Sequence, residues 1–281
     1  MTVDQAAKLR RMVKTAHARA RVIAVTSGKG GVGKSTLALN LAVEASRNYT
    51  RTVLVDADLG LANLDVMCGV RVTAGLADVI AGRKRLYEVT TPTPYGFELV
   101  GGASGIALLA DLADEDRMRL LAQMEILERE ADLVVIDTGA GISRNVVRTA
   151  AAADEVLVVT TPEPTSITDA YAAVKLVSRC REHGAIKLVV NQAASKREAE
   201  RTAARITSVS ARFLSVRVEA VGWIPSDPRV SQAAKLRRPL VSAFPATPAA
   251  LGIAALARRM NGPDRTAGSG FLRRLKKLLG R

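Results

Sequence analysis

An α/β fold with a doubly wound, mostly parallel sheet follows from three features of this 281-residue sequence. Short apolar runs alternate with helix-length segments, two of those runs end in aspartates, and the first leads into a glycine-rich loop with two lysines. A hydrophobic content of 48% is enough for the core of one large domain.

The elements follow in order. Val22-Ile23-Ala24-Val25-Thr26 reads as a buried strand, and Leu37 to Ala42 as the continuation of a helix that begins at Lys34. Between them, Gly28-Lys29-Gly30-Gly31-Val32-Gly33-Lys34-Ser35-Thr36 reads as a phosphate-binding loop rather than a surface turn, because strand, loop and helix stand in the required order. Glycines let backbone N–H groups turn inward without a Cβ clash, and the helix N-terminus adds partial positive charge. Lys34 is placed for the β- and γ-phosphates and the Ser35 hydroxyl for Mg²⁺. Lys29 is an additional lysine ahead of the glycine pair.

A second run, Thr52 to Asp56, continues into Asp58-Leu59-Gly60-Leu61-Ala62-Asn63-Leu64-Asp65, and a third, Asp132 to Asp137, into Thr138-Gly139-Ala140-Gly141-Ile142. Carboxylates at the C-terminal edge of an open parallel sheet face its ligand crevice. Three further strands are expected at 155–160, 186–191 and 216–224.

The net charge of +14 suggests nucleic acid or an anionic membrane, but its distribution decides. Residues 1–21 and 262–281 each hold six Lys or Arg against one Asp, leaving +4 between them. With 3% aromatics there is no stacking platform, which argues against direct nucleic-acid binding. Two cysteines, Cys68 and Cys180, lack ligand-like spacing, and no signal peptide is apparent; the reading is a cytoplasmic protein with both thiols in the core.

Three segments result: an N-terminal helix over 1–20, the main domain over 21–262, and a linker with a helix over 263–281. In the last, Phe271, Leu272, Leu275, Leu278 and Leu279 share an arc of about 120°, with cations on the remainder. Too short to cross a bilayer, this helix suits the interface of an anionic membrane, the alternative being packing on the protein's own surface or a partner. Near the start, Asp4 is placed to cap a helix with the narrow apolar stripe Ala6, Leu9 and Val13, a candidate peptide ligand or a frayed terminus. The string Gln-Ala-Ala-Lys-Leu-Arg-Arg occurs at 5–11 and 232–238, which we read as coincidence in an Ala/Arg-rich chain.

Together these motifs resemble the deviant Walker A ATPases of the MinD/ParA class, over about residues 20–260. The resemblance implies a P-loop NTPase fold of the SIMIBI, MinD-like type that hydrolyses ATP slowly with Mg²⁺. It implies that Lys29 reaches the partner's phosphates in an ATP-bound homodimer, that Asp58 positions the attacking water, and that Asp56 and Asp137 hold Mg²⁺ through water. Asn191 matches the base-reading asparagine, Pro225-Ser226-Asp227 the loop over adenine, and Gly139 with Gly141 the second switch. Within that class, Asp4-Gln5-Ala6 with Leu9-Arg10, Gly102 to Gly105 and Asp137 to Ser143 look like the FlhG group of flagellar number and placement ATPases, while Thr36 stands where many of that group have asparagine. That likeness implies stimulation of the signal-recognition-type GTPase FlhF, contacts with flagellar C-ring proteins and sometimes a transcriptional activator, and reversible residence on the inner face of the cell membrane, including the pole. A division-site MinD, a ParA-type partitioning ATPase and a nucleotide-gated anti-activator scaffold are the alternatives.

Overall fold

A computed structural model of the chain describes residues 19–47, 51–58, 63–101, 112–260 and 270–279. Eight strands form one sheet: β1 Arg21–Ser27, β2 Thr52–Ala57, β3 Thr90–Pro92, β4 Glu98–Val100, β5 Leu133–Ala140, β6 Glu155–Thr160, β7 Ala185–Ala193 and β8 Val218–Pro225. Their order is β3-β4-β2-β5-β1-β6-β7-β8, parallel throughout except where β3 meets β4. The helices are α1 Lys34–Ser46, α2 Leu64–Cys68, α3 Leu76–Ile80, α4 Leu86–Val89, α5 Asp114–Glu130, α6 Arg144–Ala152, α7 Pro164–Ser178, α8 Lys196–Leu214, α9 Arg229–Lys235, α10 Leu240–Ala243, α11 Pro248–Met260 and α12 Phe271–Leu279.

Strands buried on both faces explain the unbroken apolar runs. Val22, Ala24, Val53, Val55, Val134, Ile136, Val156 and Val158 point to one face, where α5, α6, α7 and α12 pack. Ile23, Val25, Leu54, Val135, Leu157 and Val159 point to the other, against α1 and α11. The two-residue period thus divides each strand between two cores.

The β3–β4 hairpin escapes the sequence reading because Thr90-Thr91-Pro92 is short and polar. Pro92 is tolerated there since β3 is an edge strand. Gly96, at φ +90°, closes the turn, and the Thr93 N–H donates to Phe97 O at 3.0 Å.

The C-terminal helix corrects the expectation of a freed lipid-facing segment. Its apolar face lies on the protein's own core, with Phe271, Leu272 and Leu275 buried and Leu278 and Leu279 partly so, against α6 and α5. Arg274, assigned to the polar side by the helical arc, is buried as well. Its Nε donates to Ala152 O at 2.7 Å and its Nη2 lies 2.5 Å from Asp154. The Ala152 carbonyl at the C-terminal end of α6 and the Asp154 carboxylate together match the buried guanidinium. Lys277 pairs with Glu182 at the rim. The linker before it lies outside the described residues, as do Gly102 to Gly105 and the first Gln-Ala-Ala-Lys-Leu-Arg-Arg string. The second string forms the end of α9 and its cap, with Ala233 buried.

Both thiols lie in or against the core. Burial pushes Cys68 up to about 11 and raises Cys180 as well, so neither supplies much thiolate at pH 8. Native protein is expected to react with iodoacetamide far more slowly than unfolded protein at both positions, as peptide mass analysis after timed quenching will report.

Candidate functional site

The loop after β1 is shaped by what surrounds its glycines. A Cβ on Gly28 would sit 2.1 Å from the Asp169 carbonyl of α7, and one on Gly33 would sit 2.3 Å from Asn191 Nδ2. Gly31 and Gly33 also hold φ of +79° and +87°, the left-handed region that favours glycine. At Gly30 and Gly31 an added Cβ would meet nothing within 4 Å, so the middle of the loop borders open space.

Below the loop, charge is gathered in a buried position. Lys34, 6% exposed, donates to Asp137 Oδ1 at 2.7 Å and lies 3.3 Å from Ser35 Oγ. Parallel pairing of β2 with β5 sets Asp56 directly beside Asp137. Burial raises the Asp137 carboxyl against the opposing pull of Lys34, and burial followed by repulsion from Asp137 pushes Asp56 up to about 6. Asp56 nonetheless accepts backbone N–H groups from Asp58 at 3.2 Å, Asn63 at 3.1 Å and Leu64 at 3.3 Å, fixing the turn that follows β2.

Asp58 faces the second glycine segment: a Cβ on Gly139 would stand 3.7 Å from its Oδ1. Gly141, at φ +92°, donates its N–H to Ser27 O at 2.9 Å, closing that segment onto the end of β1. Lys34, Ser35, Asp56, Asp58, Asp137, Gly139 and Gly141 are thus brought to one sheet edge, at the C-terminal ends of β1, β2 and β5.

Lys29 points elsewhere. Its ammonium donates to Glu163 Oε2 at 2.6 Å and Thr165 Oγ1 at 3.0 Å, on the outer side of the loop and 39% exposed. Sequence reading missed both acceptors; the available signal was Pro164 opening a helix directly after β6, at the same edge.

Asn191 and Gln192 also have a local task. Asn191 Nδ2 donates to Val32 O at 2.7 Å and Gln192 Nε2 to Gly31 O at 3.4 Å, so the end of β7 props the loop. Thr36 accepts Asn40 Nδ2 through its carbonyl at 2.7 Å. Pro225 ends β8, and Ser226 N–H donates to Ala193 O at 3.0 Å. Asp227 has a structural task in the loop it belongs to, its two oxygens accepting Arg229 N at 2.9 Å and Ala249 N at 3.2 Å. Its carboxylate is a clamp between α9 and α11, because two helix N-termini leave donors there that need acceptors. Asp4, Gln5, Ala6, Leu9 and Arg10 lie outside the described residues.

A phosphate chain with Mg²⁺ fits this set. The loop backbone borders open space, a buried ammonium and a hydroxyl stand at its base, and two adjacent buried carboxylates repel one another in a way a dication relieves. Among the described residues, no cluster of three or more Asp, Glu, His or Cys forms a cage for a bare ion; Mg²⁺ commonly retains water and phosphate ligands.

Fold and site together define a P-loop nucleotide-binding protein with a second, outward-turned lysine. Residues 23–240 match the model of the CobQ/CobB/MinD/ParA nucleotide binding domain. The chain is 41% identical over 241 residues to the antiactivator FleN of Pseudomonas aeruginosa, covering 86% of each protein. It is 36% identical over 190 residues to the flagellum site-determining protein YlxH of Helicobacter pylori, covering 68% of this chain and 64% of that protein. Among solved structures, the septum site-determining protein MinD of Pyrococcus horikoshii complexed with Mg-ADP superposes with a TM-score of 0.70 at 25% identity, over 86% of this chain and 96% of that one. The chain belongs to the CobQ/CobB/MinD/ParA nucleotide-binding family and, within it, to the FleN/YlxH (FlhG) group.

Proposed function

We propose that the protein is an ATPase that forms a face-to-face homodimer on ATP and Mg²⁺ and regulates the number or placement of flagella. The observation that carries this reading is Lys29, held at the surface by Glu163 and Thr165, from where it would reach a facing subunit. Lys34 and the loop N–H groups bind the phosphates, Ser35 with Asp56 and Asp137 holds the metal, and Asp58 orients water. Mg²⁺, when bound, neutralises charge on the phosphate oxygens. With nucleotide bound, Lys34 would pair with phosphate in place of Asp137, leaving that carboxylate as one of the groups that would hold the metal. Turnover is slow because the orienting group is a carboxylate and the remaining contribution is position and charge.

Solution mass with ADP and with ATP tests this, using Asp58→Ala to hold the ATP state. A dimer with ATP alone, lost in Lys29→Ala, supports it; a monomer in every state overturns the role of Lys29.

Asp56 supplies a pH test. Its folded pKa near 6 lies above the ordinary 3.8, so the folded state holds the extra proton between those values. The stability of the nucleotide-free protein therefore falls as pH rises from about 4 to about 6, by up to about 3 kcal/mol from this group, and levels above. A dication needs the carboxylate, so the thermal shift from Mg·ADP over ADP with EDTA is expected to be small at pH 5 and full by pH 7.5.

Through Asp4, Gln5, Ala6, Leu9 and Arg10 the protein stimulates an FlhF-type GTPase, and it works with C-ring proteins. Reversible membrane residence uses α12, whose apolar face must first leave α5 and α6. Each of its cations adds about 1 kcal/mol near an anionic surface, so one copy binds marginally and two linked copies bind well. Nucleotide-independent liposome binding, or binding that survives Leu275→Glu with Leu278→Glu, removes this part.

The name of the Pseudomonas relative favours a second reading, a nucleotide-gated anti-activator of a flagellar transcription factor whose hydrolysis is incidental. Such a scaffold tolerates Asp58→Ala in cells but not Lys29→Ala.

A further inference from the structure

Helix α5 buries one face and carries a second apolar stripe on the other. Leu120, Leu121, Met124 and Leu127 turn into the core, where α5 packs on α3, α4 and α12. On the outer side stand Met118, Ala122 and Ile126, four residues apart. Met118 and Ile126 are 62% and 46% exposed, and Ala122 is exposed as well. At 100° per residue the three lie within an arc of about 80°. A surface helix needs one apolar face for its own core and ordinarily places polar residues opposite, so this stripe has no task within the fold.

The charges around the stripe are complementary to their own reversed order. Glu115 and Arg129 stand at its two ends, and Arg119 and Glu125 flank it. Glu115 pairs with Arg119 at 3.2 Å and Glu125 with Arg129 at 2.7 Å, so all four are held along the helix. Reversing the helix about Ala122 brings Glu115 level with Arg129, Met118 with Ile126 and Arg119 with Glu125. Asp114 and Glu130 also come level, but they sit about 80° from the centre of the stripe and pair with Arg117 and Arg51.

We propose that α5 packs antiparallel on α5 of a second copy of this chain, about a two-fold axis at Ala122. Such a contact is self-complementary, as a two-fold interface requires. Each level then sets an acid against a base or an apolar side chain against another, and the small side chain on the axis lets the helices come close. A parallel pairing in register would instead set Glu115 against Glu115 and Arg119 against Arg119, so the same charges select against it.

Acids and bases in equal number favour a protein surface over an anionic lipid, which Glu115 and Glu125 would repel. One pair of crossing helices covers less than the roughly 1,200 Å² of a stable interface, so the contact is weak and acts where copies are crowded. It does not rest on the ATP-dependent dimer proposed above. The stripe lies on the outside of a helix layer, whereas Lys29 and the phosphate loop lie at the sheet edge, so either contact can form without the other.

Sedimentation equilibrium of the full chain with ADP tests this, in a state where the ATP-dependent dimer is not expected. A monomer–dimer equilibrium with a dissociation constant of roughly 50–500 µM is expected, weakened about tenfold or more by M118E/I126E. E115R and R129E should each weaken it about threefold or more, because each sets like charges level at both ends of the two-fold contact, and E115R/R129E should return it to within about twofold of the native value. All four positions are exposed, and circular dichroism melts will report whether each variant is folded. A monomer at every concentration up to about 1 mM would overturn the proposal, as would single-variant losses that the double exchange does not recover. A chain that stays monomeric but binds vesicles of anionic phospholipid, and loses that binding in M118E/I126E, would assign the stripe to lipid and overturn the contact between copies.

Discussion

Lys34→Met is expected to destabilise the nucleotide-free protein by about 3–5 kcal/mol and to abolish nucleotide binding, although the ligand is absent when the stability is measured. The reason is the buried pair: Asp137 is 1% exposed, and Lys34 is the cation that faces it at 2.7 Å. Removing one member of a buried pair leaves the other charged in a poorly solvated place, or obliges it to take up a proton. At about 2–4 °C per kcal/mol for a domain of this size, the melting temperature should fall by roughly 10 °C. Lys34→Met with Asp137→Asn removes both charges and should recover much of that loss without recovering nucleotide binding. Lys29→Met, in the same loop, should cost less than about 1 kcal/mol, because Lys29 and Glu163 are 39% and 63% exposed. Thermal melts of the three variants with and without ADP separate the roles: equal losses for the two lysines would contradict the assignment of one to the buried site and the other to the surface.

The second large effect concerns α12. Nine residues are too few for a stable isolated helix, so this one persists through the burial of Phe271, Leu272 and Leu275 and the engagement of Arg274 with Ala152 O and Asp154. Arg274→Met keeps much of the apolar stem but removes the charge and its donors. A loss of about 2–4 kcal/mol in docking is expected, which raises amide exchange in α12 by roughly thirtyfold to a thousandfold. Exchange in β1 and β5 should change much less, since these strands lie in the centre of the sheet. Mass-resolved hydrogen exchange decides the matter: unchanged protection in α12 would mean that the apolar contacts alone hold it.

Much of the edge that carries the candidate site was legible in the chain because parallel strands leave a strong trace. Runs such as Val53-Leu54-Val55 and Val134-Val135-Ile136 are apolar at every position, which only strands covered on both sides require. The aspartates that end those runs must then lie at a common edge. The short elements between residues 64 and 100 were not legible, since helices of four or five residues and a three-residue edge strand carry too little periodicity to stand out from loops.

Side-chain partnerships formed a second limit. Asn191 was readable as a site residue, but not its bond to the Val32 carbonyl; Asp227 was readable as part of a loop, but not as a clamp between two helices. Lys29 announced itself by position, whereas its resting acceptors, Glu163 and Thr165, lie more than a hundred residues away and share no local pattern with it.

By itself, the sequence determined the class of sheet, the phosphate loop and the order of the acidic edge, because backbone conformation and strand burial depend on residues close together in the chain. Only the tertiary structure decided where the amphipathic C-terminal helix lies and which partner each charge takes. An apolar helical face is equally satisfied by lipid or by protein, and a charge by whichever opposite group the fold brings near. That choice depends on surfaces assembled from distant segments: here α5, α6, the Ala152 carbonyl and Asp154, which together give α12 a matched place to pack.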